Sequence, residues 1–256
     1  MNIFRYLFPF SYFFQSRLQK NRDLIFHLYY EWLLAFMLLY FLSNNSFFYV
    51  FKDFILAYLA FISIYEIGYL GNDVYSVRNE DNPRFRIENF NPSNSQLFVW
   101  ICFRIIVFIW VTFYLNLFLS YTWWVFHCIV AVFFYLHNVL KEKELKVFTF
   151  VNLALTRFLA PIFIFLERED LALIMPSIFV TYVLYRSLTY MDSKKLLNMP
   201  SRSLVGFKFK FYLLIGGVSI LLSVLFVSWM PLLINLYYLF FWFIYILKDK
   251  LLEFRR

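Results

Sequence analysis

Glycine is scarce, with five in 256 residues. Small-residue helix packing therefore cannot dominate the fold, and no glycine-rich phosphate loop is present. Only two cysteines occur, Cys102 and Cys128, both inside apolar stretches and without CxxC or Cys/His spacing. That excludes a disulfide framework and a zinc site, and both read as small buried hydrophobes. Acids are also few, 16 Asp and Glu against 24 Lys and Arg, for a net charge of +8. The ~10-residue alternation of a β-barrel strand is missing, as is any Ser-His-Asp set. No cleavable signal peptide is read, because the apolar stretch after Arg5 is broken by Pro9 and followed by Arg17 and Lys20 without a small-residue cleavage site.

What the chain has is apolar surface: 62% hydrophobic residues, 25% aromatic, and a mean hydropathy of +0.66. A soluble domain does not carry this composition. Runs of about 20 apolar residues recur, each long enough for a ~30 Å hydrocarbon core. The expected fold is an all-α polytopic membrane helical bundle, with spans near 24–42, 47–70, 97–118, 121–140, 147–166, 171–190, 209–229 and 231–247. Residues 1–20, with Phe4, Tyr6, Phe10, Phe13 and Phe14 beside Arg5, Arg17 and Lys20, read as an interfacial segment. With both termini placed in the cytoplasm, the outer side keeps only Lys52 and Arg168, and every inner loop is basic. The positive charge is then topology and attraction to anionic lipid, not nucleic-acid binding. The chain reads as one integral-membrane domain, 1–256, of a bacterial inner or plasma membrane. Its longer loops, 71–96 and 191–208, lie over the working, cytoplasmic side.

The polar residues that end the second span carry most of the chemistry: Tyr65-Glu-Ile-Gly-Tyr-Leu-Gly-Asn-Asp-Val-Tyr-Ser-Val-Arg-Asn-Glu-Asp-Asn-Pro-Arg84. Glu66, Asp73 and Glu80 are seven apart and share nearly one helical face, with Ser76 between the last two. Asn72, Asp73 and Glu80 are a candidate catalytic and Mg²⁺-binding set, since Mg²⁺ takes oxygen ligands together with substrate phosphate. Arg78, Arg84 and Arg86 follow as candidate phosphate ligands. A helix cap and a row of topology anchors are the open alternative. Elsewhere, His27 and Glu31 form an i,i+4 pair, and Glu66 and Arg104 are expected to pair inside the membrane, as buried charges do. Arg157 lies near mid-span and His127 reads as structural. His137, Asn138 and Lys141, at a helix end beside a basic loop, are candidate substrate contacts.

Asn72-Asp73-Val-Tyr-Ser76-Val-Arg-Asn-Glu80 resembles the first aspartate-rich motif, N-D-x-x-D-x-x-x-D, of the UbiA superfamily of membrane transferases, with Ser76 in place of its second Asp and Glu80 in place of its last. Asn82-Pro83-Arg84 is similar to the loop after that motif, and Leu136-His-Asn-Val-Leu-Lys141 to the family's tyrosine–lysine element. The resemblance implies a UbiA-like bundle of about eight to nine transmembrane helices. It also implies a Mg²⁺-dependent reaction on a diphosphate donor. The family's second acidic motif should follow the sixth span, where Tyr185-Arg-Ser-Leu-Thr-Tyr-Met-Asp-Ser-Lys-Lys195 has Asp192 as its only acid. Arg186, Lys194 and Lys195 there suit phosphate and make a poor second metal site. That pattern resembles the branch that moves 5-phosphoribose from phosphoribosyl diphosphate to a polyprenyl phosphate for cell-envelope polysaccharide. The alternatives are prenyl transfer to a small or aromatic acceptor, and a non-catalytic lipid-binding membrane protein. The partners implied are a polyprenyl phosphate lipid and the diphosphate donor, and a homo-oligomer is compatible with the sequence.

Overall fold

Apolar runs bounded by Ser, Asn and Pro become helices in the computed structural model, which describes residues 3–19, 21–79, 86–87 and 90–253. Described residues form no strand. After a short 3₁₀ turn (Ile3–Tyr6), the helices are α1 (Ser11–Arg17), α2 (Asn21–His27), a π-helix (Leu28–Leu33), α3 (Leu34–Leu42) and α4 (Phe47–Val74). They continue with α5 (Asn94–Tyr114), α6 (Tyr121–Val139), α7 (Lys143–Leu159), α8 (Arg168–Ile178), a second π-helix (Phe179–Val183), α9 (Leu184–Ser193), α10 (Val205–Leu225) and α11 (Met230–Glu253).

The ends have local causes. Ser93 and Gln96 form a reciprocal capping box at the start of α5, and Ser120 caps α6 by accepting from the Trp123 amide at 3.3 Å. Asn44 and Asn116 take the left-handed backbone in the short turns after α3 and α5, a conformation Asn tolerates better than most residues. Pro176 inside α8 removes one backbone donor, and the π-helix follows three residues later.

Seven helical stretches among the described residues are long and apolar enough to cross a bilayer: Asp23–Leu42, Phe47–Val74, Asn94–Tyr114, Tyr121–Val139, Arg168–Ser193, Val205–Leu225 and Met230–Asp249. The chain is thus a polytopic helical membrane protein. An eighth span over 147–166 is not among them. Its helix stops at Leu159 and gives way to turns around Pro161, which lacks a backbone donor and disfavours helix in the residue before it. Large apolar side chains face outward on the spans: Phe48 of α4 is 81% exposed and Leu214 of α10 78%. Such surface suits lipid.

The chain divides into two compact units, 1–142 with 156–166, and 143–155 with 167–256. In the first, α4 packs against α3, α5 and α6. Gly68 of α4 lies against the Phe134 ring of α6, where an added Cβ would collide with that ring. Gly68→Ala is accordingly expected to lose about 1–3 kcal/mol by overpacking, read as a lower unfolding midpoint in detergent. In the second unit α10 and α11 pair. Tyr212 stacks on Tyr238 (centroids 5.4 Å apart), Asn235 donates to the Tyr212 carbonyl at 3.2 Å, and the Lys208 ammonium sits 4.3 Å over Trp242.

Residues 3–17, expected as an interfacial segment, are built into the first unit. Tyr6 and Tyr12 pack with Leu70 and Val74 of α4 and Leu97 and Trp100 of α5, and Tyr12 and Phe13 are fully buried. The segment turns at Phe10, which follows Pro9 and has a positive φ of 72°.

Candidate functional site

Two carboxylates on α4 hold the N-terminal segment. The deeper one, Glu66, pairs with Arg104 of α5 at 2.6 Å, both side chains wholly buried, and accepts from the Phe13 amide at 2.7 Å. Arg104 also donates to the carbonyls of Leu7 (2.7 Å), Tyr6 (2.9 Å) and Phe8 (2.9 Å). The Trp100 indole reaches the Tyr6 carbonyl at 2.7 Å. The expected Glu66–Arg104 pair is therefore present. It carries a further function that the sequence did not indicate, tying down a non-helical turn of backbone.

Seven residues on, Asp73 is the hub of a second cluster. Arg17 grips it through two hydrogen bonds, Nη1 to Oδ2 at 2.9 Å and Nη2 to Oδ1 at 3.0 Å. The Tyr12 hydroxyl donates to Oδ2 at 2.7 Å and the Asn72 amide to Oδ1 at 3.0 Å. Arg86 Nε approaches Oδ1 at 3.9 Å. The Arg17–Asp73 pair is nearly buried, at 9% and 7% side-chain exposure. Burial pulls the Arg17 guanidinium down, but the Asp73 carboxylate outweighs it and leaves it raised. Burial and the adjacent Asp73 charge push the Tyr12 hydroxyl far above its usual value, so Tyr12 remains a donor.

A third cluster adjoins the second through Tyr69, one turn before Asp73. The Arg17 guanidinium stacks 4.1 Å over the Tyr69 ring, while the Tyr69 hydroxyl accepts from Arg157 Nη1 at 2.7 Å. Arg157 Nε donates to Glu31 Oε2 at 2.7 Å, and the expected His27–Glu31 pair closes at 2.9 Å. His27 Nδ1 also lies 3.2 Å from Arg157 Nη2. Arginine only donates, so this nitrogen either accepts from Arg157 or donates to Glu31. Glu31 sits in the π-helix Leu28–Leu33, a distortion that recurs at functional sites.

The sequence-derived candidates divide accordingly. Asn72, Asp73 and Arg86 come together. Ser76 points elsewhere, donating to the Asn138 carbonyl at 2.8 Å, and the Asn138 amide donates to the Gly68 carbonyl at 3.0 Å. Those two side chains join the end of α4 to the end of α6. His137 is half-buried and Lys141 exposed. α4 stops at Val74 and a 3₁₀ turn follows over Ser76–Asn79, so the seven-residue spacing from Asp73 is not continued on one α-helix. Glu80, Arg84 and the Arg78 side chain lie outside the described residues.

In the second unit, Arg186 donates to the Tyr182 hydroxyl at 3.2 Å and lies 5.8 Å over Phe150, and Lys194 is 5.9 Å over Tyr190. Lys195 is exposed, with a positive φ of 61°. Asp192 pairs with Arg202 and accepts from the Met199 amide at 2.7 Å, so it fastens its own loop. The sequence reading missed Tyr12, Arg17 and Tyr69. Only Tyr69 had a signal, its place one helical turn before Asp73 on α4, whereas Tyr12 and Arg17 reach the cluster from α1.

Compared with protein-family models, with curated proteins and with solved structures, the chain matches none.

Asp73 as arranged does not fit a bound Mg²⁺. Its two oxygens offer about four lone-pair directions, and Arg17, Tyr12 and Asn72 direct four donors at them. No group of three or more His, Cys, Asp or Glu side chains that could hold a metal occurs among the described residues.

Proposed function

We propose that this chain is an integral-membrane transferase that moves 5-phosphoribose from phosphoribosyl diphosphate to a polyprenyl phosphate. The observation that carries the reading is the convergence of Arg17, Arg86, Tyr12 and Asn72 on the Asp73 end of α4. Substrates bearing several phosphates call for guanidinium forks and hydroxyl donors in this arrangement. The resemblance of Asn72-Asp73-Val-Tyr-Ser76-Val-Arg-Asn-Glu80 to the first UbiA motif supports the same chemistry, with His137 and Lys141 of the same unit as further phosphate contacts.

In this reading an ionised oxygen of the acceptor phosphate attacks the anomeric carbon. The bond from that carbon to the diphosphate breaks, and diphosphate leaves with the electron pair. No proton has to move, so no general base is needed. Arginines facing the departing oxygens stabilise the charge that develops on them.

The test is turnover. Purified protein with radiolabelled phosphoribosyl diphosphate and a polyprenyl phosphate, with added Mg²⁺ and in parallel with chelator, is expected to yield labelled lipid. Product only from an isoprenyl diphosphate and a phenolic acceptor would instead make the chain a prenyltransferase. No product with either donor would favour the non-catalytic reading. That reading has one observation of its own, the complete engagement of Asp73 by neighbouring donors.

A further inference from the structure

The geometry points to Tyr12, Arg17 and Asn72 as a binding site for a phosphate-class anion, whose seat the Asp73 carboxylate occupies in the ligand-free protein. The inference rests on reading this helix end as the place where phosphate is handled, and adds the N-terminal segment to it.

Three observations support it. First, every hydrogen-bonding partner of Asp73 here is a donor: the two arms of the Arg17 fork, the Tyr12 hydroxyl and the Asn72 amide. Converging donors of this kind recognise an oxyanion, and a phosphate oxygen pair meets the guanidinium fork as a carboxylate does. Second, two guanidinium groups, Arg17 and Arg86, approach the same carboxylate, and guanidinium forks suit phosphate oxygens as well as carboxylates. Third, Arg17 has an anchor independent of Asp73. Its guanidinium lies 4.1 Å over the Tyr69 ring, and Tyr69 is itself held by Arg157 at 2.7 Å. Tyr12 is likewise fixed by packing, fully buried against Trp100 and Phe90. The donors stay in place when Asp73 turns away, as preorganised binding groups do. Arg17 and Asp73 retain 9% and 7% side-chain exposure, so the pair is not wholly sealed.

An occupant that competes with the ligand gives a distinctive prediction. With chelator present and the full chain in nanodiscs of neutral lipid, inorganic pyrophosphate binding is measured by calorimetry. Asp73→Asn removes the competing charge and is expected to tighten binding about tenfold. Adding Arg17→Lys, which keeps the charge and loses the fork, or Tyr12→Phe, is expected to weaken binding in that background about tenfold each, the worth of one charge-assisted hydrogen bond. Weaker or unchanged binding in Asp73→Asn overturns the inference, as does indifference to both Arg17→Lys and Tyr12→Phe.

Nanodiscs containing phosphatidic acid distinguish the source of the anion. Loss of pyrophosphate binding there assigns the seat to a lipid headgroup, and its retention assigns the seat to a soluble phosphate. Both outcomes support a phosphate-class site. Because no turnover is read, this experiment and the transferase assay fail separately. Labelled lipid without tighter binding in Asp73→Asn removes the inference and keeps the enzyme, whereas tighter binding without labelled lipid does the reverse.

Discussion

Arg104→Leu is expected to cost about 3–5 kcal/mol of stability, because it strands a wholly buried carboxylate at Glu66. The same change removes the donors that satisfy the carbonyls of Tyr6, Leu7 and Phe8, and unsatisfied backbone inside a membrane protein is costly. Unfolding in mixed detergent micelles measures the total. Limited proteolysis reports separately on residues 3–17, which should become cleavable well below the global midpoint. The double variant Glu66→Gln with Arg104→Leu removes both charges, and is expected to be more stable than Arg104→Leu by about 1–3 kcal/mol, the usual coupling of contacting residues. A single variant that loses less than about 1 kcal/mol would mean the pair contributes little beyond its replacement by apolar packing.

The second large effect belongs to Arg157. It is buried, it bonds Glu31 and the Tyr69 hydroxyl at 2.7 Å each, and it faces the Phe13 ring at 4.9 Å. Arg157→Leu removes the guanidinium that neutralises the buried Glu31 carboxylate, and is expected to lose about 3–5 kcal/mol. Glu31→Gln combined with Arg157→Leu should recover part of that. Loss of Arg157 also frees the Tyr69 hydroxyl, and Tyr69 is the platform for Arg17. Pyrophosphate binding in the Asp73→Asn background should therefore weaken along with stability. Arg157→Lys restores a charge without the fork and should restore stability more than binding. Equal recovery of both would separate Arg157 from the anion site and leave it a purely structural residue.

These expectations rest on contacts of very different legibility. His27–Glu31 is readable from an i,i+4 spacing, and Glu66–Arg104 from two opposite charges placed at similar depth in adjacent spans. The apolar length of seven spans is readable from hydropathy alone. Pro161, two residues past the end of α7, lies inside an apolar run that reads as a continuous span. Arg17–Asp73 and Arg157–Glu31 join residues 56 and 126 positions apart. No periodicity encodes such a pairing, because it is settled by which helices pack together. The N-terminal segment was hardest to read. Its aromatic and basic composition fits an interfacial helix, and the donors that satisfy its buried turn, Arg104 and Trp100, arrive from the third span.

That arrangement has a consequence for how the protein is made. Arg104 follows the carbonyls it binds by 96–98 positions. At a synthesis rate of roughly 5–20 residues per second, the segment waits about 5–20 s before its partner leaves the ribosome. Residues 6–8 are thus fastened only once a partner some 97 positions later in the chain has been made.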